Sequence, residues 1–326
     1  MIDDGSSDKS QAIFDTLAAM PKVQVLHHPV NKGKGAALKT GYTYIKEQMP
    51  EVTAILTADS DGQHTVEDCV RLCEAVATGE RGLYLGSRDF SLPEIPPKSR
   101  FGNRCTSVVF KALYGTWLPD TQTGLRGFRR EDLEMMLAVS GERYEYEMNV
   151  LIAASRAKLP FKIITIKTVY ENNNAGTHFH PIRDSWRIYK VLLGGFLKFA
   201  GSSLFCWSVD QILAAVLADV FLPLVGVARN SMEAIQGSGY GARVVSALMN
   251  YCINRKVVFK DSGNFAQSLW KYIVLAICVI SLSNLAVWGM TQLTIPRWIA
   301  KIVADMVLYF VNFNFQNRWV FAKGKE

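Results

Sequence analysis

The sequence predicts an α/β domain built on a doubly wound parallel sheet, followed by an all-α membrane domain. Three observations carry that expectation. Up to about residue 190, short apolar runs alternate with helix-like segments and charges are interspersed throughout. Within that region Val52-Thr-Ala-Ile-Leu-Thr-Ala-Asp59-Ser-Asp61-Gly-Gln63-His64 runs uncharged and then stops at two carboxylates, as a buried parallel strand does. Beyond it lie four apolar stretches, at about Leu197–Val220, Tyr240–Val258, Leu269–Met290 and Ile299–Val320, each near the roughly 20 residues that cross a hydrocarbon core. A chain of 326 residues has room for both parts, placed at residues 1–188 and 189–326.

The elements follow in order. Ile2-Asp-Asp-Gly-Ser-Ser-Asp8 reads as the end of a strand, a turn and a helix start, with the helix at Lys9–Met20. Val23–Leu26 is a short strand. Asn31-Lys-Gly-Lys-Gly-Ala-Ala-Leu38 leads into a helix over Ala36–Met49, but it lacks the spacing of a P-loop. Thr65 and Asp68 have capping-box spacing for a helix reaching Ala77. Gly82–Leu85 is a strand ending at Gly86-Ser-Arg88. The proline-rich Leu92–Arg104 segment runs into a basic helix start, where Arg100 and Arg104 share a face. Glu142–Lys158 is a helix, with Glu145 and Glu147 near the end that the dipole favours for acids. Phe161–Tyr170 alternates as a strand, and Glu171–Phe179 is a polar loop.

Net charge is +7, with basic clusters beside apolar stretches: Arg183, Arg187, Lys190 and Lys198, then Arg255, Lys256 and Lys260. That placement suits anionic headgroups and positive-inside topology. No basic helix interleaves with stacking aromatics, so nucleic acid is not an expected partner. The six cysteines include no metal-type pair, and Cys69 and Cys73 lie one helical turn apart; a reduced, cytosolic first half follows. The residues after Met1 are polar and unlike a signal peptide.

The second half contains a repeat. Asn250-Tyr-Cys-Ile-Asn254-Arg255-Lys-Val-Val-Phe259 and Asn312-Phe-Asn314-Phe-Gln-Asn317-Arg318-Trp-Val-Phe321 each close with Asn-Arg and then a Val-Phe pair, which suggests a duplicated unit. Both repeats finish in basic residues, so both ends are expected in the cytoplasm. Four spans then put the first domain and both termini on the cytoplasmic side of the plasma membrane, as a multi-pass protein. Asp210 and Asp305, at membrane depth, either hold helices together or line a path for a lipid headgroup.

The chemistry centres on Asp59 and Asp61. Side chains two apart on an extended segment point the same way, and ligands on such sheets lie past the carboxyl ends of strands. Two facing carboxylates suit Mg²⁺ or Mn²⁺ completed by a diphosphate; the plainer alternative is a surface turn rich in Asp. Arg88, Arg100 and Arg104 suit a phosphate, or else form a solvated basic face.

Six motifs stand in the order seen in one family: Ile-Asp-Asp-Gly-Ser-Ser-Asp, Asn-Lys-Gly-Lys-Gly-Ala-Ala-Leu, Asp-Ser-Asp-Gly-Gln-His, Gly-Ser-Arg, Ser-Arg-Phe-Gly-Asn-Arg and Asp-Thr-Gln-Thr-Gly. The chain resembles family 2 glycosyltransferases, most closely polyprenyl-phosphate sugar transferases like dolichol-phosphate-mannose synthase. Its last part resembles a GtrA-like four-helix membrane domain. The resemblance implies a GT-A fold that binds a nucleotide sugar. It implies donor contacts from Asp3, Asp4, Lys34, Asp59, Thr177 and His178, and metal contacts from Asp59, Asp61 and Gln63. Arg88, Arg100 and Arg104 would then hold the phosphate of an undecaprenyl or dolichyl acceptor. Asp120 is a candidate catalytic residue that orients rather than acts as a base. Relatives carry an earlier strand and helix with a Pro-x-Tyr-Asn-Glu-like segment, so the sheet is expected to lack its first strand.

The implied reaction is metal-dependent, inverting transfer of a hexose from a UDP-glucose- or GDP-mannose-type donor to polyprenyl phosphate, for cell-envelope glycans or lipid-linked sugars. The alternative is a non-catalytic carrier or scaffold for lipid-linked sugars, with a degenerate transferase domain. A processive polysaccharide synthase is set aside, because Gln316-Asn-Arg-Trp319 is one residue short of Gln-x-x-Arg-Trp. The membrane domain is also a candidate surface for homo-oligomers.

Overall fold

The computed structural model describes residues 1–7, 10–93, 95–167, 181–228, 231–259, 261 and 263–321. The chain divides into two compact units, Met1–Leu192 and Leu193–Glu326. The first contains, in order, β1 (Ile2–Asp3), α1 (Gln11–Ala18), β2 (Leu26–His27), α2 (Lys34–Gln48), β3 (Ala54–Thr57) and α3 (Val66–Thr78). It continues with β4 (Leu83–Arg88), α4 (Pro97–Tyr114), β5 (Arg126–Arg129), α5 (Leu133–Ala138), α6 (Glu145–Arg156) and β6 (Phe161–Ile166).

The strands form a two-stranded parallel sheet, β1-β2, and a four-stranded sheet of order β3-β5-β4-β6. The larger sheet is mixed rather than all parallel: β4 and β6 are parallel, while β5 runs against both β3 and β4. The cause is where the chain returns. Arg126 begins β5 opposite Thr57, the last residue of β3, so the strand starts at its neighbours' far end and has to run backwards. Three arginines among residues 126–130 hide β5 from a search for apolar runs.

Period-2 alternation on β5 builds both faces of the sheet. On one face Leu125 joins Leu72, Val76, Tyr84 and Ile166 in a buried cluster under α3. Gly127 allows that contact, since a Cβ there would lie 2.4 Å from a Val76 methyl. On the other face Phe128 meets Tyr42 of α2 edge-on, with centroids 5.3 Å apart. Helix α3 starts where its capping pair predicts: the Thr65 hydroxyl accepts from the Asp68 N–H at 3.2 Å, and Glu67 and Asp68 occupy the first turn.

Helix α7 (Pro181–Val216) carries the chain into the second unit. There a π-helical turn (Leu217–Phe221) and the short α8 (Leu222–Leu224) precede α9 (Met232–Ile253), α10 (Phe265–Gln292) and α11 (Arg297–Phe315). Among the described residues three helical segments are long and apolar enough to cross a bilayer, Ile188–Leu224, Phe265–Gln292 and Arg297–Val320, where the sequence predicts four. Helix α9 is long enough, but Gln236-Gly-Ser-Gly-Tyr-Gly241 and Arg243 dilute its hydropathy.

The repeat is present in three dimensions. Both α9 and α11 end in five-residue π-turns, Asn254–Val258 and Gln316–Val320, so Asn254 corresponds to Gln316. These two residues, 62 apart in the chain, hydrogen-bond to each other. Asn254 is fully buried. It accepts from the Ser202 hydroxyl at 2.6 Å and donates to Asn250 at 2.8 Å and to Gln316 at 3.1 Å. Gln316 in turn donates to Asn312. The outer surface is apolar, with Trp207, Ile277, Trp288 and Ile302 exposed. Amides inside and hydrocarbon outside is the arrangement that lipid favours. The two membrane-depth acids both take interhelical bonds: Asp210 from Ser246 at 2.9 Å, and Asp305 from Ser283 at 2.8 Å.

Replacing Asn254 with Leu removes three side-chain bonds and leaves the Gln316 side-chain oxygen without the Asn254 donor. The expected cost is about 1–2 kcal/mol, read as a lower unfolding temperature of the full chain in detergent, with Asn250→Leu costing less.

Candidate active site

The carboxyl end of β1 supplies Asp3 and Asp4, and both are engaged by their own unit. Asp3 accepts from the Ser6 N–H and lies 2.9 Å from His27 Nδ1. Those bonds, led by Ser6, hold its carboxyl below the usual range. Asp4 accepts from the Lys32 and Gly33 N–H groups at 2.9 and 2.7 Å and lies 2.7 Å from His28 Nδ1. It thereby shapes the turn that launches α2. Gly33 sits at φ +102°, where a Cβ would strike the Glu142 carbonyl.

That turn delivers Lys34 to the centre of the site. Its ammonium lies 2.7 Å from Asp59 and 2.9 Å from Glu147. Burial alone would lower its pKa, but Glu147 and then Asp59 more than offset this and hold it above the ordinary lysine value. Asp59 follows β3 by two residues. Against it lies the Asp120–Gly124 loop, so close that a Cβ on Gly124 would fall 2.1 Å from a carboxylate oxygen. Asp61 is exposed at the tip of the turn and accepts from the Gln63 N–H at 3.1 Å.

Asp120 is buried and gripped two-handed by Arg88, at 2.7 and 3.0 Å, with the Gln122 N–H as a further donor. A carboxylate so committed orients its loop and Arg88 together. Asn103 of α4 fastens the same loop, donating to the Pro119 carbonyl and accepting from the Thr121 N–H. Arg100 donates to the Leu92 carbonyl, while its Nε is buried with no hydrogen-bond partner among the described residues; Arg104 is exposed. Thr177 and His178 lie outside the described residues.

Sequence reasoning missed three participants. Glu147 reads as an acid placed for the helix dipole, yet it is the second anchor of Lys34. Gly124 stands in the Asp-Thr-Gln-Thr-Gly motif, which does not show how closely Asp59 approaches its backbone. Arg126 is buried in β5, donating to the carbonyls of Thr123 and Glu147, with one terminal nitrogen unpartnered beside a small cavity lined by Tyr42, Thr57 and Glu147. Its signal was the density of arginine in an otherwise buried run.

No group of three or more His, Cys, Asp or Glu side chains among the described residues is placed to hold a metal ion. The donor chemistry of Asp59 and Asp61 nevertheless fits a hard cation that keeps one or two carboxylates and takes its other ligands from phosphates and water.

Comparison with known proteins identifies the scaffold. Residues 1–137 match glycosyl transferase family 2, and residues 237–321 match the GtrA/DPMS transmembrane domain. An uncharacterized protein of Methanocaldococcus jannaschii is 32% identical over 197 residues, 59% of this chain and 79% of that one. The chain belongs to glycosyl transferase family 2. This glycosyltransferase is a membrane protein with a GT-A-type α/β unit and a helical transmembrane unit. It is also similar to a UDP-N-acetylglucosamine–dolichyl-phosphate N-acetylglucosaminyltransferase of Methanococcus voltae, 29% identical over 187 residues (52% of this chain, 74% of that one). An undecaprenyl-phosphate mannosyltransferase of Micrococcus luteus is 28% identical over 180 residues (54% and 72%).

Two outcomes are expected of the glycosyltransferase. Gly124→Ala pushes Asp59 from its place and lowers sugar transfer by about 100-fold, while the unfolding temperature stays close to that of the parent. Asp3, whose folded pKa is depressed, adds stability above its unfolded value of about 3.9 that is lost as pH falls through the folded value. Circular dichroism between pH 5 and pH 2 should therefore show acid unfolding that is shallower in Asp3→Asn.

Proposed function

We propose that this glycosyltransferase moves a hexose from a UDP- or GDP-sugar to a polyprenyl phosphate, with inversion at the anomeric carbon and dependence on Mg²⁺ or Mn²⁺. The observation that carries the reading is Asp59, set at the carboxyl end of β3 with Lys34 and Glu147 on one side and bare Gly124 backbone on the other. The names of the relatives, a dolichyl-phosphate and an undecaprenyl-phosphate transferase, support the acceptor.

On this reading Lys34 and the acids position the donor's diphosphate. A divalent ion, when bound by Asp59 and Asp61, would neutralise the charge developing on the leaving diphosphate. The lipid phosphate is already anionic, so it attacks without a strong base, which agrees with Asp120 being locked to Arg88. Bringing two anions together is the main barrier, and Arg100 and Arg104 on α4 offset it on the acceptor side. A single in-line displacement inverts the anomeric centre. The catalytic unit and both termini face the cytoplasm, with α9 as a fourth crossing: its 22 residues reach about 33 Å.

Membranes holding the full chain, given labelled nucleotide sugars and polyprenyl phosphate, should form a lipid-linked sugar that is lost with a chelator and restored by Mg²⁺ or Mn²⁺. Asp59→Asn should abolish the product. Transfer that persists in excess chelator would overturn the metal; no lipid-linked product from any donor would overturn the acceptor.

A further inference from the structure

The carboxylate expected to meet a divalent ion is already covered. The Lys34 ammonium lies 2.7 Å from Asp59 Oδ1 and 2.9 Å from Oδ2, so one cation spans both oxygens. On the other side stands the Gly124 backbone, where a Cβ would fall 2.1 Å from one oxygen and 2.9 Å from the other. With one face taken by the ammonium and the other by backbone, a second cation can reach both oxygens only if Lys34 moves. Asp61 differs: it is exposed, and among the described residues only the Gln63 N–H reaches it. Of the groups around Asp59, Lys34 is the one built to move. Glu147 is held through its backbone carbonyl, which accepts from buried Arg126 at 2.7 Å. The same guanidinium donates to the Thr123 carbonyl, beside Gly124, at 2.9 Å. Lys34 instead carries a compact charge with three donors on a flexible four-carbon stem. Its second anchor, Glu147 at 2.9 Å, would still hold the ammonium once Asp59 is released.

We propose that Lys34 is a stand-in cation: it keeps Asp59 neutralised until a nucleotide diphosphate draws its ammonium away, and Asp59 then becomes available to a divalent ion. The reason is charge balance. Asp59 and Glu147 left unpaired would repel each other, so the lysine stabilises the pair when no donor is bound. A diphosphate offers the ammonium a second, more highly charged anion. Its oxygens are also what Mg²⁺ or Mn²⁺ takes to complete a shell begun by one or two carboxylates. Both exchanges depend on the same group, so cation and nucleotide bind as a coupled pair. A lysine fixed in place would act differently, repelling a divalent ion equally with and without nucleotide. This exchange rests on the metal-dependent reading above and adds to it which residue is displaced and what displaces it.

The test is equilibrium binding of Mn²⁺ by the full chain in detergent, read from the electron paramagnetic resonance of free Mn²⁺ and corrected for what the nucleotide binds in solution. It needs no sugar transfer. Parent and Lys34→Met are compared without nucleotide, and with whichever of UDP and GDP tightens Mn²⁺ binding by the parent. Without nucleotide Lys34→Met should bind Mn²⁺ about tenfold more tightly; with nucleotide that advantage should vanish. Should Lys34→Met fail to fold, because Asp59 and Glu147 then face each other, Lys34→Met/Glu147→Gln against Glu147→Gln carries the same comparison. A gain of equal size in both states overturns the exchange alone, since it gives Lys34 a fixed charge. So does the absence of a gain without nucleotide, or Mn²⁺ binding that neither nucleotide tightens. Mn²⁺ binding that is unchanged in Asp59→Asn, or absent from every form, overturns the exchange and the metal dependence together.

Discussion

The bridge from Asp59 through Lys34 to Glu147 is the constraint around which the catalytic unit is arranged. It joins the carboxyl end of β3, the first residue of α2 and the first turn of α6. One ammonium between two partly sheltered carboxylates is strongly oriented, because removing it would leave two like charges facing each other. The surrounding backbone keeps it in place: Asp4 shapes the turn before Lys34, and the Ala36 N–H bonds the Glu142 carbonyl at the approach to α6. Charged groups held this firmly suit a task in which charge has to be met without reorganisation.

The antiparallel β5 follows from the same geometry. Its approach has to begin at the end of the sheet where Asp59 sits, and the Asp120–Gly124 loop therefore presses on that carboxylate. Arg88 and Asp120, 32 residues apart, lock each other at the end of β4. A parallel β5 would have carried this loop to the opposite end of the sheet.

The membrane unit obeys a different solvent. Its polar side chains turn inward and satisfy one another across the repeat, while bulky apolar side chains face out. Two π-turns, each placing an amide at its first position, bring Asn254 and Gln316 together. Each turn then ends at Phe259 or Phe321, whose rings stack with centroids 5.0 Å apart. The duplication is thus expressed as a buried contact between equivalent residues.

Much was legible in one dimension. The alternation of elements, the acid pair after an apolar run, the capping of α3 and three of the apolar spans depend on local period and composition, which a sequence displays directly. The direction of β5, the pairing of Arg88 with Asp120 and the part played by Glu147 were decided by tertiary structure. Each is a contact between segments far apart in the chain, and local propensity does not say which distant groups meet. Asp59 shows the division well: the sequence by itself marked it as a ligand for something cationic, and only the fold made that first cation Lys34.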